Sequence, residues 1–227
     1  IIVGDIHGNL EKVRAFLDYR PDQPHIALGD YVDSFGEPLE WQQECLIRLI
    51  ESSAILLWGN HDLHYLETPP FKCTGYQKWA AHRFRDIFEE NKRRFRAACA
   101  TDGWLCTHAG VNRKLCRSCT DPQKLAERLN RMMDRYVQGV CRKSAIFDIG
   151  RRRGGPQRSG GIYWFDNLCE TGLAGQLPQI IGHTEQEPSA TNSLVTLDTT
   201  NNYRICTLYD TQENRLVKIE MPNASRI

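Results

Sequence analysis

Ile1-Ile2-Val3-Gly4-Asp5-Ile6-His7-Gly8 opens the chain with an apolar run that stops at a glycine and an aspartate. The same pattern returns in His25-Ile26-Ala27-Leu28-Gly29-Asp30-Tyr31-Val32-Asp33 and in Ala54-Ile55-Leu56-Leu57-Trp58-Gly59-Asn60-His61-Asp62. A short apolar run bounded by such residues reads as a buried strand ending in a tight loop. Between these runs, Leu10, Val13 and Phe16-Leu17 recur at helical spacing, as do Leu39, Cys45-Leu46 and Leu49-Ile50. The order β-α-β-α-β implies a parallel sheet with crossover helices.

Beyond this start, residues 62–96 read mainly as helix, broken at Pro69-Pro70 and rich in aromatic and basic residues. Asp102-Gly103 between the runs 95–101 and 104–107 signals a two-residue hairpin. Leu125, Leu129, Met132-Met133 and Tyr136 describe an amphipathic helix, with Asp121-Pro122 as its cap and first turn. Residues 150–161 form a loop rich in glycine and arginine. The tail returns to strands at 179–181, 194–197, 203–208 and 215–219, with turns at 199–202 and 210–214, and reads as a mostly antiparallel second sheet. No repeat and no long linker divides the chain, so residues 1–227 read as a single domain carrying a helical insertion at about 62–96.

The bulk composition narrows the class. Hydrophobic residues make up 41% and charged residues 25% of the chain, ordinary values for a soluble globular protein. A formal net charge of +1 supplies no field that would attract nucleic acid or an anionic membrane. No apolar run is long enough to span a bilayer, so no membrane partner is expected. Nine cysteines cannot all pair within one chain, and several lie in apolar or helical patterns, as expected in a reducing cytoplasm. Cys116-Arg-Ser-Cys119 has only half the ligands of a structural zinc site and reads as a pair of loop cysteines. Because Ile1 already belongs to a strand, the natural start of the protein is expected to lie upstream.

The chemistry is concentrated where the strands end. Thr107-His108-Ala109-Gly110 and Gly182-His183-Thr184 add two further apolar-run endings to the three above. Asp5, His7, Asp30, Asn60, His108 and His183 therefore all fall at strand ends, where functional loops cluster in open α/β sheets. Carboxylate, carboxamide and imidazole are ligands for divalent metals. Six ligands exceed the needs of one tetrahedral ion and suit two ions sharing a carboxylate, an arrangement that serves phosphoryl transfer.

These motifs, Asp-x-His, Gly-Asp-x-x-Asp, Gly-Asn-His-Asp and two later histidines in that order over residues 4–184, resemble the calcineurin-like metallophosphoesterases. Gly29-Asp30-Tyr31-Val32-Asp33 and Thr107-His108-Ala109-Gly110 are most similar to the branch of phosphoprotein phosphatases and symmetrical diadenosine tetraphosphatases. The resemblance implies a four-layer α-β-β-α sandwich, with two mixed central sheets flanked by helices and a dimetal site at the strand carboxyl ends. It implies that Asp5, His7 and Asp30 hold one metal and that Asp30, Asn60, His108 and His183 hold the other. It further implies that His61 protonates the leaving oxygen, that Asp33 supports His61, and that a metal-bridging hydroxide attacks. Mn²⁺ is the expected metal, with Fe, Zn, Co or Ni compatible with the same ligands.

One departure bears on the substrate. The position after Asp33, an arginine in the protein phosphatases, is Ser34, which cannot supply a bidentate guanidinium contact to phosphate. Arg153 and Arg158, in the loop between His108 and His183, are the candidate replacements. Tyr76 and Trp79 are candidates for a cap that stacks on a base. The expected activity is hydrolysis of a phosphate monoester, with a phosphorylated protein or nucleotide as substrate. The alternatives are a dinucleoside polyphosphate hydrolase or a phosphodiesterase. A non-catalytic scaffold on the same fold would lack ligands, and here none is missing.

Overall fold

The computed structural model describes residues 1–34, 36–198 and 204–222; the expected turn at 199–202 and the strand start at Tyr203 lie outside them. In chain order the elements are β1 (Ile2–Val3), α1 (Leu10–Asp18), β2 (Ile26–Ala27), α2 (Leu39–Glu51), β3 (Ile55–Leu57), α3 (Asn60–Leu63), α4 (Ala81–Asn91), β4 (Phe95–Arg96), β5 (Cys99–Thr101), β6 (Trp104–Cys106), α5 (Arg113–Cys116), α6 (Pro122–Val137), β7 (Gln179–Ile181), β8 (Ser189–Ala190), β9 (Leu194–Thr196), β10 (Ile205–Asp210) and β11 (Arg215–Glu220). They build a six-stranded sheet in the order β11-β10-β1-β2-β3-β4 and a five-stranded sheet in the order β5-β6-β7-β9-β8. Both are mixed: β1, β2, β3 and β4 run parallel, as do β6, β7 and β9, while the flanking strands run antiparallel.

Strand alternation sorts the side chains into layers. Ile2, Ile26 and Leu57 of the first sheet join Cys106, Ile180 and Val195 of the second in a buried cluster, so the sheets pack face to face. Val3, Ala27 and Leu56 point the other way, into a core shared with Val13 and Phe16 of α1 and Leu46 and Leu49 of α2. On the far side α6 lies against β5 and β6. It buries Leu125, Leu129 and Met133, and Asp121 caps it by accepting from the backbone N–H groups of Gln123 and Lys124. The expected α-β-β-α sandwich is thus the observed architecture.

Three expectations change. The tail does not form a sheet of its own. β7 and β9 run parallel inside the second sheet, whereas β10 and β11 form a hairpin that pairs antiparallel with β1 of the first. Cys206, Leu208 and Tyr209 of β10 are buried there. Residues 95–101 are not one strand, because the chain leaves the first sheet after Arg96 and enters the second at Cys99. Ala97 and Ala98 are fully buried at this crossing, and Asn130 Oδ1 accepts from their N–H groups at 2.8 and 3.1 Å, satisfying donors that the ladder break would strand. Helix in the segment 62–96 is confined to the end of α3, to α4 and to a 3₁₀ turn at Lys92–Arg94, and 64–80 is irregular around Pro69-Pro70 and Gly75. Among the described residues no helix is long and apolar enough to cross a membrane.

Leu129 is fully buried between α6 and the second sheet. Leu129→Ala should cost about 2–5 kcal/mol by urea unfolding. Trp79→Ala, at a side chain 66% exposed, should change stability by less than about 0.5 kcal/mol.

Candidate metal centre

Strand adjacency fixes where the six residues meet. Asp5 and His7 follow β1, Asp30 follows β2 and Asn60 opens α3 after β3, three neighbouring parallel strands. His108 and His183 follow β6 and β7, which are parallel neighbours in the other sheet. Ligand atoms of Asp5, His7 and Asp30 lie within 4.8 Å of one another, and so do those of Asp30, His108 and His183. Asp30 belongs to both groups. Asn60 Oδ1 stands 2.8 Å from His108 Nε2 and 3.0 Å from His183 Nδ1, so all six sequence-derived candidates converge.

The carboxylates are held by backbone N–H groups of the neighbouring loops. Asp30 Oδ1 accepts from His61 N at 2.9 Å, and Asp5 accepts from His183 N at 3.0 and 3.2 Å. Asp62, fully buried, accepts from the N–H groups of Gly59, Asp30 and Tyr31 at 2.8–2.9 Å and so ties the second loop to the third. Two glycines are required by closeness. A Cβ on Gly59 would stand 2.1 Å from Asp30 Oδ1, and one on Gly182 would stand 2.1 Å from Asp5 Oδ1. His7, Asp30, Asp33 and His183 have φ values of +45°, +54°, +67° and +68°. Left-handed backbone costs an L side chain roughly 1–3 kcal/mol, and such strain collects at functional sites.

Neutral imidazoles favour cation binding. His7 Nδ1 lies 2.9 Å from the Val32 carbonyl and His108 Nδ1 3.0 Å from that of Leu28, which leaves Nε2 of each facing the cluster. Burial pushes both imidazoles down to about 3, so they are neutral and their Nε2 lone pairs are free. Burial, then the nearby His108, also lowers His183. Burial drives Asp5 and Asp30 well above the carboxylate range, and neighbouring carboxylates add to it, Asp198 for Asp5 and Asp5 for Asp30. Asn60 Oδ1 and the His108 lone pair are two acceptors 2.8 Å apart with no proton to share. A cation between them resolves that repulsion, so the donor set fits divalent metal ions.

Beside this cluster stands a second group. His61 Nδ1 lies 2.8 Å from Asp33 Oδ2, the pairing expected from the sequence. Asp33 also receives the Tyr65 hydroxyl on Oδ1, and His64 Nε2 lies 2.7 Å from its Oδ2. Burial alone would raise Asp33, but the contacts from His61 and His64 outweigh it and hold the carboxyl below its usual range. His64, Tyr65 and Asp198 were missed by sequence reasoning. His64 follows His61 by three residues, a spacing that stacks side chains on one helical face and could have revealed it. Asp198 ends the apolar run from Leu194 to Leu197 without a glycine to mark it.

A cavity of about 520 Å³ opens over these groups, with Arg153, Trp164, Glu185, Asp198 and Cys73 on its wall. Arg153 Nε lies 3.1 Å from Asp166 Oδ2, and Nη2 donates to Thr184 Oγ1 at 3.0 Å, so the guanidinium is fixed in place. Arg158 is exposed and is not part of that wall. Ser34 is buried, and its hydroxyl accepts from the N–H groups of Gly36 and Glu37, so it is engaged with the backbone. Tyr76 stacks on Tyr65 with ring centroids 5.1 Å apart and stays off the cavity wall, as does Trp79, which removes the expected base-stacking cap. Cys116 and Cys119 are free thiols, with Cys116 Sγ donating to the Cys119 carbonyl.

The family description "Calcineurin-like phosphoesterase" matches residues 1–174. No curated protein matches the chain in sequence. Among solved structures it is similar to a cold-active protein-tyrosine phosphatase of a psychrophilic Shewanella species, at 15% identity and a TM-score of 0.62, covering 96% of this chain and 76% of that one. It is also similar to a protein serine/threonine phosphatase from Saccharomyces cerevisiae, at 14% identity and a TM-score of 0.53, covering 98% and 80%. At these identities the likeness establishes the fold.

Gly182→Ala places a methyl where Asp5 Oδ1 now lies. Elemental analysis of the purified variant after dialysis should find less bound metal than in the parent, with the circular dichroism spectrum retained.

Proposed function

The chain belongs to the calcineurin-like phosphoesterase family, a metal-dependent class of enzymes, and from that premise we propose that it is a phosphomonoesterase acting on phosphorylated protein or nucleotide. The observation that carries this reading is the Asp33–His61 pair at the edge of the ligand cluster with Arg153 anchored on the same cavity wall. Together they supply a proton and a phosphate clamp around one reacting centre.

Asp5, His7 and Asp30 would hold one cation, and Asp30, Asn60, His108 and His183 the second. Two divalent ions held there would supply Lewis acidity to phosphoryl oxygens and to water near neutral pH. Mn²⁺ is the proposed assay metal. His61 gives its proton from Nε2 to the leaving oxygen, while Asp33 holds Nδ1 and stabilises the imidazolium. Tyr65 and His64 fix the Asp33 carboxylate, so the pair stays aligned between turnovers. Arg153, held by Asp166 and Thr184, presents its remaining N–H groups to the phosphate and takes the part that Ser34 cannot. The nine cysteines are all free thiols, which supports a cytoplasmic setting.

The test of the reaction class is a substrate panel on the Mn²⁺-loaded protein: p-nitrophenyl phosphate, its bis-ester, diadenosine tetraphosphate and a phosphopeptide. The monoesters should be hydrolysed fastest; preference for the bis-ester or the dinucleotide would replace this reading with a phosphodiesterase or a dinucleoside polyphosphate hydrolase. His61→Asn should keep its metals and lose roughly 10²–10⁴ in kcat. The loss should shrink for good leaving groups, and an equal loss across all of them would refute the acid role. Arg153→Ala should lower kcat/KM for monoesters by roughly tenfold or more, whereas Arg158→Ala should leave it near the parent value.

A further inference from the structure

Cys73 lies outside the ligand cluster, on the wall of the same cavity. Its Sγ is 2.8 Å from His64 Nδ1, and the other nitrogen of that ring is 2.7 Å from Asp33 Oδ2. His61 Nδ1 meets the same carboxylate oxygen at 2.8 Å. One ligand atom each from His61, His64 and Cys73 fall within 4.8 Å of one another. We propose that these three residues form a separate site for a soft divalent cation such as Zn²⁺, with Asp33 on the far nitrogen of His64 to orient that ring, and that its occupation withdraws His61 from catalysis.

The donor chemistry separates this site from the dinuclear one. A thiolate with two imidazoles is a zinc-type set with a fourth position left for solvent, while the cluster at Asp30 contains no sulfur and accepts harder ions. Binding exchanges protons for the metal: the cation takes the Cys73 sulfur and one nitrogen each of His61 and His64, the thiol proton and any proton on those nitrogens leave to solvent, and no electrons move. With Zn–S about 2.3 Å and Zn–N about 2.0 Å, sulfur and nitrogen on a tetrahedral ion stand about 3.5 Å apart. The present 2.8 Å must therefore open by less than about 1 Å. Cys73 sits in the irregular stretch 64–80, where no helical or sheet ladder opposes that shift. The cavity gives the cation a path from solvent.

Cation binding stands independently of the proposed reaction; the inhibitory consequence rests on His61 acting as the acid. The Mn²⁺-loaded protein is titrated with Co²⁺ as a spectroscopic probe and, separately, with Zn²⁺ during turnover. Co²⁺ entering the dinuclear site meets only nitrogen and oxygen, and since other free thiols could also bind cobalt, only the part of a thiolate-to-cobalt charge-transfer band that depends on Cys73 reports the proposed site. The parent should develop that band near one equivalent, and Cys73→Ser and Cys73→Ala should both lack it. In both variants the Zn²⁺ concentration that halves activity should rise roughly tenfold or more. A parent without the band, or a band that persists in the two variants, overturns the site. A band that behaves as expected while Zn²⁺ leaves turnover unaffected overturns the inhibitory role alone; the assignment of His61 is decided separately by the leaving-group dependence of His61→Asn.

Discussion

Everything at this centre depends on carboxylates held by the backbone of a neighbouring loop. Asp62 gathers three N–H groups from two loops, Asp30 takes one from His61, and Asp5 takes two contacts from His183. A buried carboxylate without partners would be costly, whereas one that accepts backbone hydrogen bonds fixes the position of the loop that donates them. The last of these links joins the two sheets, since Asp5 follows β1 and His183 follows β7. Glycine beside each ligand is part of the same constraint. At Gly59 and Gly182 the carboxylate oxygen lies where a side chain would begin, so position, more than turn geometry, demands the residue.

The first sheet and the ligand set were legible because both rest on local signals. Apolar runs ending in glycine and a polar residue identify strand ends, and adjacency of parallel strands does the rest. Pairing partners were less legible, since they are decided by long-range burial that periodicity does not encode. The hairpin β10–β11 has the alternation of any edge hairpin, and nothing in it says that its neighbour is β1, about two hundred residues earlier. The crossing at Ala97-Ala98 was hidden for a similar reason. It depends on Asn130, a helical side chain whose role appears only when α6 packs beside it. Around the site, His64 and Tyr65 escaped notice because their work is done on Asp33, not on the reacting atoms. Arg153 and Arg158 looked alike in sequence, and only the anchors Asp166 and Thr184 tell them apart.

Asp33 sits at the junction of two kinds of chemistry. Its carboxylate supports His61 on one side and His64 with Cys73 behind it on the other. Tyr65 takes the remaining oxygen and is itself packed against Tyr76, Phe84 and Phe88. An aromatic core therefore positions Asp33 through the Tyr65 hydroxyl, and the irregular segment 64–80 is anchored through the same contacts.

The strand order has a temporal side. Asp5, His7, Asp30 and Asn60 emerge early from a ribosome, yet His183 comes more than a hundred residues after Asn60, and β10, which closes the open edge of β1, follows later still. Contacts of such sequence separation form late in folding. Until the segment carrying His183 is made, the donor set is partial. The complete donor set is thus a property of the assembled tertiary fold and of no single segment, since it requires β6 and β7 to be packed beside β1, β2 and β3.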